Sequence, residues 1–148
     1  MTTRAGQVVL LDGAHNPASA EALRAALLAE FSDAKPAVIF GVFRDKDSAS
    51  MCRSLAPLAG RLLLTPVHSE RTEDPARLVN ACRAVNPRAP LEVCNSLAQA
   101  IETAARDPFV VITGSLYLVG EAMELLGLTS ADGGERALNE WTARTGIR

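Results

Sequence analysis

Residues 8–17 have the sequence VVLLDGAHNP, and they join a short apolar run to the start of an amphipathic helix. Four consecutive apolar residues followed by Asp-Gly predict a buried strand that ends in a turn. Asn16 is a typical N-cap residue, and Pro17 is favoured in the first turn of a helix. Apolar side chains then recur at helical spacing as far as about Phe31. The chain therefore begins with a strand followed by a helix.

The same pattern recurs four more times along the chain. Apolar runs predict further strands at residues 37–40, 62–64, 91–94 and 109–112, and helical spacing follows each of them. Five consecutive strand–helix units predict a parallel sheet, and continuous apolar runs predict that helices cover both of its faces. Five units are too few for an eight-stranded barrel. We therefore expect an α/β, Rossmann-like fold, with an open, mostly parallel sheet and helices on both faces.

Polar residues and glycine mark the ends of the predicted helices. Asp47 is suited to cap a helix over residues 48–59, and Asp74 precedes a proline at the start of the next helix. Ser96 and Gln99 have the spacing of a capping box. Gly127 is a natural stop for a helix over residues 115–126.

Composition narrows the classes of function. The chain has 148 residues, of which 48% are hydrophobic and 22% charged, as expected for one globular domain. Its net charge is -2 without a basic run, which argues against nucleic acid as a partner. The apolar runs are too short for a membrane span, and the start of the chain lacks the pattern of a signal peptide. We expect a cytoplasmic monomer whose three cysteines, Cys52, Cys82 and Cys94, are buried thiols.

Ligands of such sheets bind beyond the carboxyl ends of the strands, which selects residues 12–16, 41–47, 66–71, 95–96 and 113–117. The first segment is the densest, with Asp12, His15 and Asn16 between a strand and a helix start. Asn16 alone is explained as a helix cap and Asp12 as a turn residue. The three together favour an anionic ligand, because a helix N-terminus offers backbone donors and a positive dipole.

Two further segments leave both structural and functional interpretations open. Residues 44–47 carry four charges of alternating sign, which fit either a solvated loop or a place where Arg44 or Lys46 holds a carboxylate or phosphate. Ser115 follows Gly114 and is sufficient as a helix cap. The sequence contains no G-x-x-x-x-G-K-[ST] phosphate loop, no G-x-G-x-x-G after the first strand and no G-x-S-x-G nucleophile motif.

Three motifs together resemble one family. LDGAHNP at residues 11–17, FGV followed by DKD at residues 40–47, and TGSLYLVGE at residues 113–121 resemble segments of folylpolyglutamate synthases and their bifunctional dihydrofolate synthase relatives in the Mur ligase superfamily. They occur in the family's order. Muramyl ligases share the AHNP core but usually lack the preceding glycine and the TGSLY run.

The resemblance implies a ligase of folate biosynthesis and one-carbon metabolism that adds L-glutamate to the γ-carboxyl of a reduced folate through an acyl phosphate made with ATP. It implies that Asp12, His15 and Asn16 contact ATP, and that His15, Lys46 and Ser115 contact glutamate. His15 is also the candidate catalytic residue, to orient or deprotonate the amine. Mg²⁺ and the phosphate loop belong to an N-terminal domain that this chain lacks, and the family's WPGR segment is absent too.

The domain boundaries follow from the same patterns. We expect a Mur-ligase-type C-terminal domain over residues 1–127, inactive alone, and a tail over residues 128–148 in which a short helix through Leu138 and Trp141 docks. Two alternatives stay open. The chain is a free-standing module that binds a nucleotide, an amino acid or a protein, or it is a domain of a muramyl-type amide ligase.

Overall fold

The computed structural model describes residues 2–4 and 6–128. Its strands are β1 (Thr2–Arg4), β2 (Gln7–Asp12), β3 (Ala37–Phe40), β4 (Arg61–Leu64), β5 (Leu91–Val93) and β6 (Phe109–Thr113). Its α-helices are α1 (Pro17–Glu30), α2 (Ser48–Leu55), α3 (Val79–Val85), α4 (Leu97–Thr103) and α5 (Leu116–Leu125). None of the helices in this described part is long and apolar enough to cross a membrane. The predicted docked helix with Leu138 and Trp141 lies outside the described residues.

The strands form one sheet in the order β1-β2-β6-β3-β4-β5. β2 to β6 pair in parallel, which confirms the predicted α/β architecture. β1 pairs antiparallel with β2 at the edge of the sheet, and the sequence pattern does not predict this strand. A three-residue strand is too short to show a hydrophobic period.

Side chains of the central strands alternate between two hydrophobic clusters. One cluster contains Leu10, Val38, Leu62 and Val111 and packs on α1, α2 and α3. The other contains Val9, Ile39, Leu63 and Ile112 and packs on α4 and α5. Both faces of the sheet are therefore covered, which explains why the strands have continuous apolar sequences.

The strand order creates a crevice at the carboxyl edge. The chain runs from β2 through α1 to β3 and leaves a gap that β6 later fills. Because α1 covers one face of the sheet and α5 the other, the chain leaves neighbouring strands β2 and β6 in opposite directions. This divergence is the topological switch point at which such sheets bind ligands. It places residues 12–16 beside residues 113–115.

Two predicted helices differ from the structure at their ends. The helix predicted over residues 48–59 stops at Leu55 and continues as a 3-10 turn, Ala56–Leu58, because Pro57 has no N–H for an α-helical bond. Asp74 caps as predicted, but Pro75–Leu78 is also a 3-10 turn before α3 begins.

The predicted capping box of α4 is only half formed. The Ser96 hydroxyl accepts from the Gln99 N–H at 3.1 Å, but Gln99 Oε1 accepts from the N–H of Asn95 rather than from that of Ser96. The stop at Gly127 is as predicted. Gly127 has φ of 73°, and the Leu128 N–H donates to the Met123 carbonyl at 2.8 Å, which closes the helix in a Schellman arrangement.

The three cysteines are free and buried, as the sequence predicted. Cys52 of α2 and Cys82 of α3 lie with their Sγ atoms 3.5 Å apart where the two helices pack together. Cys94 follows β5 and belongs to the opposite cluster.

Candidate functional site at the carboxyl edge

Three neighbouring strands end level with one another at the crevice. Asp12 of β2 and Phe40 of β3 are both register partners of Thr113 of β6. A glycine follows each of these residues in the sequence: Gly13, Gly41 and Gly114. The strand ends therefore present a rim of backbone to the crevice.

The glycine rim is closely packed. The Gly41 N–H donates to the Thr113 carbonyl at 3.3 Å, and a Cβ on Gly41 would lie 2.7 Å from the Thr65 carbonyl oxygen. Gly114 has a φ of 119°, a backbone angle that residues other than glycine rarely adopt. A Cβ on Gly13 would collide with the Leu116 side chain. Glycine is thus required at positions 41 and 114, where the β3 and β6 loops meet, whereas the exposed Leu116 side chain can move away from a Cβ at position 13.

The N-terminus of α1 is closed by a capping box. Asn16 Oδ1 accepts from the Ser19 N–H at 2.8 Å, and the Ser19 hydroxyl accepts from the N–H groups of His15 at 3.0 Å and Asn16 at 3.1 Å. The predicted cap role of Asn16 is confirmed. Three backbone donors of this turn are therefore engaged within the chain, so an anion here would rely on the helix dipole, on side-chain donors and on donors not used in the cap.

Asp12 and His15 are both fixed by their own loop. Asp12 Oδ1 accepts from the Ala14 N–H at 2.9 Å, the turn contact expected of this residue. His15 Nδ1 lies 2.9 Å from the Gly13 carbonyl oxygen. Because a carbonyl can only accept, this contact requires the proton on Nδ1, and Nε2 carries the lone pair when the ring is neutral.

The loop after β3 is tied to the loop after β4. Phe43 forms a bridge with Thr72, and the Arg44 N–H donates to the Arg71 carbonyl at 2.9 Å. The Arg44 side chain donates to the carbonyl of Glu70. The sequence could not foresee this pairing, because the two loops are separated by a helix and a strand.

The four charged residues of the loop after β3, residues 44–47, have different environments. Asp45 pairs with Arg71 at 3.3 Å. Asp47 caps α2, and hydrogen bonds from the side chain and backbone of Ser50 hold the pKa of Asp47 below its ordinary value. In residues 6–128, the half-buried Lys46 side chain makes no ion pair or hydrogen bond. The Lys46 ammonium is therefore available to a ligand.

Ser115 is the cap of α5. It is 2% exposed, and its hydroxyl oxygen accepts from the Tyr117 N–H at 3.1 Å, which confirms the structural interpretation of this residue. A ligand could meet only its O–H, because the oxygen is engaged and the residue is buried. Thr113 is also buried beside it, and its hydroxyl has no hydrogen-bond partner among the described residues.

A stack of Arg71, Phe43 and Tyr117 completes the rim, and no sequence motif indicates it. The Arg71 guanidinium lies 4.3 Å from the centre of the Phe43 ring, and Phe43 meets Tyr117 edge-to-face with ring centres 5.2 Å apart. Leu116 and Tyr117 are 63% and 62% exposed. The rim therefore exposes apolar surface beside its charged groups, a combination suited to a ligand or a neighbouring domain.

Residues 1–116 match the model of the family described as Mur ligase, glutamate ligase domain. A probable bifunctional folylpolyglutamate synthase/dihydropteroate synthase of Halobacterium salinarum is 34% identical over 129 residues, which cover 80% of this chain and 15% of the relative. A dihydrofolate synthase/folylpolyglutamate synthase of Mycobacterium tuberculosis is 32% identical over 144 residues, covering 84% of this chain and 29% of the relative.

Solved structures similar to this chain are also of folylpolyglutamate synthases. Folylpolyglutamate synthase of Thermotoga maritima superposes with a TM-score of 0.77 at 30% identity, over 91% of this chain and 31% of that one. The Mycobacterium tuberculosis enzyme complexed with ADP and AMPPCP gives a TM-score of 0.72 at 30% identity, over 80% and 29%. The chain spans less than a third of each of these relatives. It belongs to the Mur ligase, glutamate ligase domain family, in the form found as the C-terminal domain of folylpolyglutamate synthases.

Proposed function

We propose that the chain supplies the C-terminal half of the ATP and glutamate site of a folylpolyglutamate synthase. The parent enzyme would add L-glutamate to the γ-carboxyl of a reduced folate through an acyl phosphate. The observation that carries this proposal is the convergence of residues 12–16 and 113–115 at the switch point of the sheet. The similarity to folylpolyglutamate synthases supports the choice of reaction.

The nucleotide would lie against the β2 loop. The Asp12 carboxylate accepts hydrogen bonds from the ribose hydroxyls, and the Asn16 side-chain nitrogen donates to a phosphate oxygen while its oxygen stays in the cap. The α1 dipole favours the phosphates.

The incoming glutamate would lie between the β2, β3 and β6 loops. Lys46 neutralises one carboxylate of the glutamate, since the Lys46 ammonium makes no hydrogen bond or ion pair within the described residues. Ser115 donates its O–H to the same substrate. Both assignments place a cationic or donor group opposite a carboxylate of glutamate, which can only accept.

His15 would prepare the amine for attack. A glutamate ammonium must lose a proton before its nitrogen can attack the acyl phosphate. The Nδ1–H bond to Gly13 orients the ring, so that Nε2 can accept this proton as a general base.

Mg²⁺ neutralises charge on the phosphates in reactions of this kind. In the described residues, no three His, Cys, Asp or Glu side chains lie together as a metal site, and we assign the ion to the N-terminal domain. That domain would also supply the phosphate loop, which this sequence lacks. We therefore expect the 148-residue chain to be inactive by itself.

A ligation assay with ATP, L-glutamate and a reduced folate tests the proposal. In the full-length enzyme, His15→Ala should lower kcat by about 10²–10⁴-fold, the usual contribution of a general base, and should weaken glutamate binding. Unchanged glutamate affinity and rate would contradict both roles of His15. The isolated chain should show no turnover, and measurable turnover would contradict the half-site account. Activity with a muramyl substrate instead of the folate would assign the parent to the muramyl ligases.

A further inference from the structure

Lys46 stands between two carboxylates in the sequence, Asp45 and Asp47, and both of them are engaged by other partners. The two oxygens of Asp47 accept from the N–H and the hydroxyl of Ser50, at 3.2 and 2.7 Å. The two oxygens of Asp45 accept from the Arg71 guanidinium, at 3.5 and 3.3 Å. An ammonium held by a neighbouring carboxylate would not be free for a substrate, so these partners matter for Lys46.

The restraint on Asp45 comes from a distant part of the chain, because Arg71 lies in the loop after β4, 26 residues away. Among the described residues, the Asp45 carboxylate makes no other hydrogen bond or ion pair. The cations next to it in the sequence are Arg44 and Lys46. The Arg44 guanidinium already donates to the Glu70 carbonyl, whereas the Lys46 ammonium has no partner within residues 6–128. An Asp45 released from Arg71 is therefore expected to pair with Lys46.

The backbone of the loop that carries Lys46 is held without the Arg71 side chain. The Arg44 N–H donates to the Arg71 carbonyl at 2.9 Å, and a second main-chain bond of 2.8 Å joins the same two loops. These bonds do not depend on which side chain occupies position 71. The guanidinium itself contributes the ion pair with Asp45 and the stacking on Phe43.

We propose that Arg71 is a positioning residue, which holds Asp45 away from Lys46 and so keeps the Lys46 ammonium free for a carboxylate of the incoming glutamate. The inference rests on the proposed function, because it takes Lys46 as a glutamate contact. Without Arg71, Asp45 competes with the substrate for one ammonium. The Asp45 side chain is 56% exposed, and exposed ion pairs are weak, so this competition should weaken glutamate binding by about two- to fivefold.

The test compares the KM for L-glutamate of the full-length enzyme carrying Arg71→Gln, Asp45→Asn or both changes. Arg71→Lys keeps a cation that can pair with Asp45. Arg24→Gln is the matched control, since Arg24 forms an exposed ion pair with Glu21 on α1. The side chains of Arg71 and Asp45 are both more than half exposed, so the variants should fold, and thermal unfolding verifies this.

Arg71→Gln should raise the KM for glutamate by about two- to fivefold and leave kcat and the KM for ATP unchanged. The double variant should return to the KM of the unsubstituted enzyme, because its competing carboxylate is neutral. Asp45→Asn, Arg71→Lys and Arg24→Gln should each leave this KM unchanged. Loss of the stacking on Phe43, or of a direct contact between Arg71 and glutamate, would instead leave the double variant as impaired as Arg71→Gln.

An unchanged KM in Arg71→Gln, or a double variant that stays impaired, would therefore overturn the proposal. Lys46→Gln separates this failure from a failure of the proposed function. If Lys46→Gln raises the KM for glutamate and Arg71→Gln does not, the role of Arg71 alone is refuted. If Lys46→Gln leaves the KM unchanged, the glutamate contact itself is refuted, and the role of Arg71 with it.

Discussion

The α-carbon of Gly114 lies against the carbonyl oxygen of Gly41, so closely that a methyl group on Gly114 would overlap this oxygen. The contact joins the ends of β6 and β3, and it holds the first residues after both strands in place. Since backbone atoms form both sides of the contact, a side-chain rotation cannot relieve it. The shape of the crevice therefore depends on glycine at position 114.

Gly114→Ala should destabilise the chain by about 2 kcal/mol or more, because it adds the backbone strain of a positive φ to the overlap with Gly41. Gly120→Ala is the matched control, since Gly120 lies within α5 and has open space around it. The control should be stabilised by about 0.5–1 kcal/mol. Urea unfolding of both variants measures the difference, and equal stability of the two would show that the contact does not constrain the backbone.

Two substitutions separate the two roles of Asn16, the helix cap and the proposed contact with ATP. Asn16→Ala should cost about 1 kcal/mol of stability, because the Ser19 N–H loses its acceptor. Asn16→Asp should stay within about 0.5 kcal/mol of the natural chain, since aspartate is an equally good cap.

In the full-length enzyme, Asn16→Asp should nevertheless raise the KM for ATP, because it replaces the side-chain donor with a negative charge beside the phosphates. Chemical denaturation and steady-state kinetics measure the two effects separately. An unchanged KM for ATP with retained stability would limit Asn16 to its cap.

The pKa of Glu121 makes the stability of the chain depend on pH in a specified direction. Burial raises this pKa, so the folded state binds the proton more tightly than the unfolded state. The contribution of Glu121 to the free energy of unfolding is therefore greatest below the ordinary carboxyl range and falls as the pH rises through the raised pKa. The nearby His68 lowers the pKa of Glu121 and so opposes this effect, and the exposed Glu124 carboxylate of α5 adds to it.

Glu121→Gln removes this dependence and should be the more stable protein at neutral pH. Its advantage should shrink as the pH falls through the raised pKa of Glu121 towards the ordinary carboxyl range near about 4. Thermal unfolding of both proteins across this range measures the difference. A natural chain that gains stability relative to the variant as the pH rises would contradict the assigned direction.

The sequence predicted the architecture because strand and helix signals are local. The apolar run at residues 109–112 predicts a strand and Asn16 predicts a helix start from a few adjacent residues alone. Both appear in the structure as predicted. Helix ends are less well predicted from such local patterns. The apolar residues keep a helical spacing past Pro57, but the backbone there changes to a 3-10 turn.

The site was predictable in part. Motifs at three strand ends selected Asp12, His15, Lys46 and Ser115 as candidates, and the rule for parallel sheets placed these candidates at one edge. The contacts between distant loops were not predictable. Arg71 lies over Phe43, and Glu121 closes a cleft with His68, because of strand order and loop pairing that no local pattern encodes.

Lys46 provides the most direct test of the half-site. The full-length enzyme should be assayed for the KM of L-glutamate and of ATP with Lys46→Gln and with Lys35→Gln, an exposed lysine beside the amino end of β3. Because Lys46→Gln removes one charged hydrogen bond to glutamate, it should raise the KM for glutamate by about 10–100-fold and leave the KM for ATP unchanged. Lys35→Gln should change neither value. An unchanged KM for glutamate in Lys46→Gln would contradict the placement of the glutamate site at the carboxyl edge of this sheet.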